Sequence, residues 1–457
     1  MAAILQQVDH QLEQMLASWN IYTTVIALVL VTCAVYPLFF DAEPDIHPLL
    51  LARQSAASHV RQPGESAVFR SLDVPPGYPL RTGLNVKDPG APKWTSGRDG
   101  DLRDVWKRAV SGPVDSDGKP TGEAGKVLTV LGKQEVIEYS FEKLSGEIIA
   151  VGQHMRNHGG NRIAVYLPNS VELLVTLFDL PAETSGDSAP DVLFVTEDAT
   201  SALDTSEVVS FTQKNIVAAI GAQIAALPRN HRLAPTDLLM PLASLTDMYP
   251  LTVTLAALFS NSSLALTPVS GPNVQYGAAF QGVSPTIVIA GTQTMSNYCR
   301  DKERNELTNH IAIGHWWKSR SLAAGVMPKA SATGSPRLVY TYDSSTASTV
   351  PLNPTELFNL RLFTGARIVY AFTDSRVAGA VSQTNALDYA KRNGESGHFG
   401  PPLSCVELKL KDTGDRKSEG AKALGQLVVS GPAVVGGEVV CGQIMMMTDE
   451  NTLAYPE

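Results

Sequence analysis

Arg162-Ile163-Ala164-Val165-Tyr166-Leu167, then Pro168-Asn169-Ser170, then Val171 to Leu180 is the stretch on which the fold turns. The first run is apolar and rich in strand formers. Pro-Asn-Ser is turn chemistry, and the last run is a helix candidate, so the three together read as one strand–turn–helix unit. The same rhythm continues on both sides. Upstream, Lys126–Leu131 reads as a strand and Ser140 to Asn157 as a helix with a cap near its start. A shorter helix is expected over Asp101 to Val110. Downstream, a polar break at Ala182 to Pro190 leads into an Asp191–Val195 strand and a Lys214–Leu227 helix. Leu238–Leu242, Leu264–Leu266 and Thr286–Ile289 are short strands around a Pro250–Phe259 helix. Asn305 to Pro336 is mixed and basic, the composition of a surface excursion. Arg337–Thr341, Glu356–Leu362 and Arg367–Ala371 then resume strand, helix, strand. Alternation at these lengths is the grammar of an α/β domain with parallel strands. After Gly397 the pattern changes to short strands, Val406–Leu410 and Leu427–Ser430, around the charged turn Thr413 to Gly420. That predicts a small β-rich subdomain over residues 397–457, closing an α/β body at 121–396. Prolines interrupt residues 41–120, which read as connection and lead-in rather than a core of their own.

Ile21 to Phe40, IYTTVIALVLVTCAVYPLFF, carries no charge. As a helix it would be about 30 Å long, the thickness of a bilayer's hydrocarbon core. It has no basic segment before it and no small-residue cleavage site after it, so the expectation is a retained single-pass anchor; the alternative is a buried core helix or an uncleaved targeting segment. Residues 1–20 place Ile4, Leu5, Val8, Leu12, Met15, Leu16 and Trp19 at helical spacing, either an amphipathic segment or an early start of the same helix. Arg53 follows the apolar run and no Lys or Arg precedes it, which favours a cytosolic body. The expected address is a lipid-metabolising membrane such as the endoplasmic reticulum. A net charge of −9 without a basic stripe excludes nucleic acid as a partner class. Cys33, Cys299, Cys405 and Cys441 stand too far apart for a zinc spacing or a disulfide framework.

Residue patterns alone carry little chemistry. The chain has neither a G-x-G-x-x-G fingerprint nor a G-x-x-x-x-G-K-[ST] loop. His154 and His158 share a helical face without a third ligand, the pattern of surface histidines. Asp374 follows the strand Arg367–Tyr370, where a carboxylate either serves a site at the strand's end or caps the next segment. Met445-Met446-Met447 is either a soft contact patch or a closing strand.

Several segments, in order, resemble the adenylate-forming (AMP-binding) superfamily, and within it the long-chain acyl-CoA synthetases. Arg81-Thr82-Gly83-Leu84 and Asp99 to Trp106 are similar to the family's leading region, and Asn161 to Ser170 to its first core strand and turn. Thr212-Gln213-Lys214-Asn215 resembles its T-H-x-N helix start, and Pro241-Leu242-Ala243-Ser244 its P-L-A-H. Tyr370-Ala371-Phe372-Thr373-Asp374 resembles Y-G-L-T-E; His398 to Leu403 and Gly425 to Pro432 match later segments. The resemblance implies an enzyme that activates a fatty acid with ATP and passes the acyl group to coenzyme A. It implies nucleotide contacts at Thr200, Ser201, Thr205, Ser206, Tyr370, Thr373 and Asp374, with Asp374 as the magnesium ligand and, with Thr373, the catalytic position.

Departures from the family pattern cut against activity. Where the family has a Gly-rich loop ending in Lys, Asp198 to Val208 has no glycine and no Lys, and adds Asp204 and Glu207. A like-charge pair at contact distance costs about 4 kcal/mol at an effective dielectric of ~20. Ser244 replaces the P-L-A-H histidine, Asp374 is one methylene shorter than the family glutamate, and Tyr342-Asp343-Ser344-Ser345-Thr346 lacks the glycines of the adenine loop. The mobile C-terminal domain of the family is expected to be absent. The leading expectation is therefore an inactive, membrane-anchored scaffold that needs no cofactor, with membrane lipid, a fatty acyl ligand and a protein partner as its contacts. The rivals are a divergent long-chain fatty-acid–CoA ligase using ATP, magnesium and coenzyme A, and an incomplete chain of an active enzyme.

Overall fold

The structure is a computed structural model. It describes the chain apart from residues 1–16, 18, 40–42, 88–90, 93, 95–96, 115–118, 120, 123, 131–135, 159–164, 179–190, 198–205, 281, 309–311, 329–333, 346–349, 393, 395–396, 415, 419–422 and 457. Two compact units emerge, Met1–Asp45 and Ile46–Glu457.

In the first unit, helix α1 spans Ile21–Phe39. Asn20 starts it, its Oδ1 accepting from the backbone N–H groups of Tyr22 at 2.9 Å and Thr23 at 3.1 Å. Among the described residues, however, no helix is long and apolar enough to cross a membrane. The expectation of a transmembrane helix over 21–40 is corrected accordingly, and with it the single-pass endoplasmic-reticulum address.

The second unit is built on two sheets. The larger has the strand order β12-β11-β10-β9-β7-β8-β3-β4. Its members are β3 (Lys126–Val130), β4 (Val136–Ser140), β7 (Leu238–Pro241), β8 (Ser263–Leu266), β9 (Ile287–Gly291), β10 (Leu338–Ser344), β11 (Arg367–Thr373) and β12 (Ser382–Gln383). Pairings from β3 through β11 are parallel; β4 and β12 close the edges antiparallel. The smaller sheet takes β1 (Ser55–Ala57) and β2 (Phe69–Ser71) alongside β13 (Glu407–Lys411), β14 (Leu424–Ser430), β15 (Glu438–Met447) and β16 (Leu453–Ala454). Part of the proline-rich lead-in is thus built into the closing sheet. Met445 and Met447 are buried within β15, which makes that run a strand rather than a contact patch.

Helices form where capping and burial agree. Asp101 caps α2 (Leu102–Ser111) in a capping box with Asp104, and Ser140 Oγ accepts from the Lys143 N–H at the start of α3 (Phe141–His158). After α4 (Val171–Phe178), β5 (Val192–Glu197) and β6 (Ser206–Phe211) pair as a separate antiparallel hairpin. Thr212 and Asn215 form the box that starts α5 (Gln213–Ala225), and Asn215 Nδ2 reaches on to Pro432 O at 2.7 Å. Every residue of α6 (Met248–Phe259) is buried, the mark of a helix inside the core rather than on its surface. Two helices, α7 (Thr292–Thr308) and α8 (Ala312–Ala323), replace the excursion expected between residues 305 and 336. Asn353 caps α9 (Pro354–Thr364), which ends on Gly365 at φ 65°.

The strand expected over Arg162 to Leu167 falls partly outside the described residues. Residues 162–164 lie outside the described residues, and Val165 to Leu167 join no strand, with Tyr166 99% exposed. The place beside β3 is taken by β4, its antiparallel neighbour. The turn that follows keeps its role. Asn169, 1% exposed, donates to Pro241 O at 3.2 Å and Ala243 O at 2.8 Å, and its Oδ1 accepts from Leu245 N at 2.8 Å. A buried amide thereby fixes the chain leaving the carboxyl end of β7.

Candidate functional site

The order of the large sheet locates a crevice. From β7 the chain steps to β8 on one side, then returns to β9 on the other. In open parallel sheets, ligands bind outside the carboxyl ends of strands at such a reversal. The residues gathered there come from the ends of β7, β9, β10 and β11.

At the end of β11, Asp374 is 8% exposed. Its Oδ2 accepts from Ser345 Oγ at 2.6 Å and its Oδ1 from Arg376 N at 3.0 Å. The Cys441 thiol adds a third donor to the carboxylate, and two carboxylate oxygens with about four acceptor sites still leave capacity for a further partner. Thr373 Oγ1 donates to Asp343 O at 3.0 Å, and Ser345 N donates to Thr373 O at 2.9 Å, so the ends of β10 and β11 are clamped together. The small sheet reaches the same place. Gln443 Nε2 donates to Ser345 O at 2.9 Å, and Tyr455 OH to Asp343 Oδ2 at 3.2 Å. Cys441 is buried beside Asp374; burial first, then that carboxylate, push its thiol far above the ordinary range and keep it neutral.

A second carboxylate stands at the reversal itself. Asp247 occupies the N-cap of α6 yet makes no capping bond. Its Oδ2 accepts instead from Tyr342 OH at 2.7 Å. Burial raises the Asp247 pKa, and the tyrosine hydrogen bond only partly opposes it. The Tyr249 and Tyr342 rings lie 5.3 Å apart, while Thr292 Oγ1 holds Tyr342 O at 2.6 Å. Ser244 and Thr246 share a 2.7 Å hydroxyl contact on the loop between β7 and α6.

Of the residues expected at a nucleotide site, Thr373 and Asp374 are together at this edge. Ser206 begins β6, opposite Glu197. Thr200, Ser201 and Thr205 lie outside the described residues. Tyr370 is placed elsewhere: its ring packs on Phe399 at 4.6 Å and its hydroxyl accepts from Leu352 N at 3.2 Å. Ser345 lies in the segment Tyr342 to Thr346 that resembles the adenine loop, whereas the sequence does not mark Asp247, Gln443 or Tyr455 as site residues. The one available signal was Asp247, an N-cap residue before an apolar helix.

Among the described residues no group of three or more His, Cys, Asp or Glu side chains gathers to hold a metal ion. Magnesium does not require one, because it is commonly held by one or two carboxylates plus substrate phosphates. The oxygen donor set at Asp374 fits that mode, with Asp374 as the protein ligand.

The architecture is an α/β fold that distantly matches the fold of adenylate-forming proteins. The likeness is distant and extends to the fold. A complex of VinN with L-aspartate superposes with a TM-score of 0.54 at 13% identity, covering 83% of this chain and 100% of that one. The O-succinylbenzoate coenzyme A synthetase MenE from Bacillus subtilis, in complex with AMP, gives 0.53 at 11% identity over 77% of each chain. An ATP-bound RpMatB–BxBclM chimera gives 0.53 at 12% over 78% of each. In sequence, the chain is 27% identical over 125 residues to the uncharacterized protein YHR045W of Saccharomyces cerevisiae. That match takes in 27% of this chain and spans about a fifth (20%) of the yeast protein's length. No protein-family model matches the chain.

Proposed function

We propose that the protein activates a carboxylic acid with ATP at the carboxyl edge of the large sheet, as a divergent fatty-acid–CoA ligase. The expected inactive membrane scaffold gives way to this reading: no described helix is long and apolar enough to cross a membrane, and the fold is that of the adenylate-forming enzymes. The observation that carries it is Asp374, a buried strand-end carboxylate held by Ser345 and the Arg376 N–H in the crevice at the sheet's carboxyl edge.

In the reaction, a substrate carboxylate oxygen attacks the α-phosphorus of ATP, the bond to the β-phosphate bridging oxygen breaks, and pyrophosphate leaves. Coenzyme A thiolate then attacks the acyl carbon and AMP departs with the bonding pair. Magnesium, when bound, neutralises phosphate charge. Asp374 is assigned to hold it, Ser345 to fix the carboxylate's rotamer, and the Thr373–Asp343 clamp to keep the two strand ends in register.

Pyrophosphate release measured with saturated fatty acids of increasing length tests the proposal. Acid-dependent release that falls at least about a hundredfold in Asp374→Ala, a loss of about 2.7 kcal/mol of transition-state stabilisation, is expected. Release that ignores the acid, or survives the substitution, rules it out.

A further inference from the structure

Away from that edge, a cavity of about 70 Å³ opens between α9, the connection at residues 384–398 and the end of the small sheet. At a liquid-water share of about 30 Å³, it holds about two waters or one small oxyanion. Its wall includes Arg361, Arg392, His398, Thr384, Thr448 and Tyr455.

Arg361 and Arg392 there face the carboxylates of Asp388 and Glu450. Arg392 donates to both oxygens of Asp388 at 3.0 Å each, and through Nε to Glu450 at 3.1 Å, so its fork is fully engaged. Asp388 also accepts from Gln54 Nε2 at 2.9 Å, and His398 Nε2 stands 3.5 Å away. His398 Nδ1 accepts from Gly400 N at 3.1 Å, which places the ring proton on Nε2. Arg361 is the exception. It is 4% exposed, lines the cavity, and its Nε has no hydrogen-bond partner. Burial pushes its pKa down, to about 10, which still leaves it cationic at neutral pH. Its neighbours Phe358 and Leu362 belong to an apolar cluster. The Asp388 charge opposes that downward shift, but the Asp388 oxygens accept from Arg392 and Gln54, which leaves the Arg361 Nε without a hydrogen-bond partner.

We propose that this cavity is a binding site for a small oxyanion, a phosphate or carboxylate group, held by the Arg361 guanidinium and the Thr384 hydroxyl. Thr384 Oγ1 already accepts from Tyr370 N at 2.9 Å, so its own proton is available to a ligand. A planar guanidinium pairs with either anion through two parallel N–H bonds. Tyr455 closes the cavity and donates to Asp343 at the carboxyl edge, so the two sites share a wall. The cavity contains neither Asp374 nor Ser345, and it stands whether or not the edge activates an acid.

Isothermal titration of the full chain with sodium phosphate, and separately with sodium acetate at matched ionic strength, tests the site. One-to-one saturable binding of at least one anion is expected, weakened at least about tenfold in Arg361→Met, or about 1.4 kcal/mol. Methionine keeps the bulk of the stem and removes the charge; Arg361→Gln serves in its place if circular dichroism shows the first variant unfolded. Binding of phosphate alone identifies a phosphorylated ligand, and of acetate alone a carboxylate. Absence of saturation by both anions at about 50 mM, or equal affinity in parent and variant, overturns the proposal.

Discussion

Replacing His398 with Gln should flatten the acid limb of the stability curve. The imidazole is nearly buried, with 10% of its side chain exposed. Burial first, then the Arg392 charge, depress its pKa from 6.5 to about 4, and Asp388 only partly compensates. The sign follows from linkage. An unfolded chain takes up a proton at this residue as pH falls through 6.5, whereas the native chain does not until about 4. Stability is therefore lost progressively across that window and the contribution is level below it. At about 1.36 kcal/mol per pH unit, the loss is about 3 kcal/mol. At neutral pH the variant should be the weaker, by about 1 kcal/mol, because the acceptor for Gly400 N is disturbed. Urea unfolding of both proteins between about pH 7.5 and pH 4.5 reads the difference directly. The gap should close and then reverse, moving by about 3 kcal/mol in favour of the variant. A gap constant to within about 0.5 kcal/mol would refute the reasoning.

Further consequences can be measured on the same footing. Acid weakens a second element below that window: opposed by burial, the charges of His398 and Arg392 hold Asp388 down at about 2, so its stabilisation persists above 3.8 and disappears toward pH 2. The substitution Asp388→Asn should therefore give a shallower loss across that interval in the same titration. Asn169→Ala removes the latch on the β7 carboxyl end and should cost about 2–4 kcal/mol in urea unfolding, since it strands two buried carbonyls and one N–H; a cost below about 0.5 kcal/mol would deny the latch. Gly221→Ala would set a Cβ 2.2 Å from Gly83 O, so α5 must shift, and a loss of about 1–3 kcal/mol is expected from thermal or urea melts.

Sequence patterning exposed the α/β frame because its inner strands are short apolar runs of β-branched residues between turn signals, as in Ile287–Gly291 and Arg367–Thr373. The described end of the Arg162 to Leu167 run, Val165 to Leu167, joins no strand, since an apolar run does not say which place in a sheet is open. β4 escaped notice because its residues are mostly exposed and alternate weakly. Strands of three residues, β1 and β2, are too short to show a period among prolines. In α7 the buried positions include Thr292, Thr294 and Ser296, so the apolar stripe that marks a helix is diluted. An uncharged run misread as an anchor shows that apolar length in sequence is not the same as a described apolar span. At the site, Thr373 and Asp374 were legible through resemblance to a family motif. The Asp247–Tyr342 and Asp343–Tyr455 bonds join residues 95 and 112 positions apart, a pairing that tertiary folding alone makes.

The most direct test of the acid-activating account is isothermal titration of the full chain with ATP and magnesium, run beside Asp374→Ala. Saturable binding with a dissociation constant of about a millimolar or tighter, weakened at least about tenfold in the variant, is the predicted result. No saturable heat from the parent chain, or the same affinity in both proteins, would contradict it.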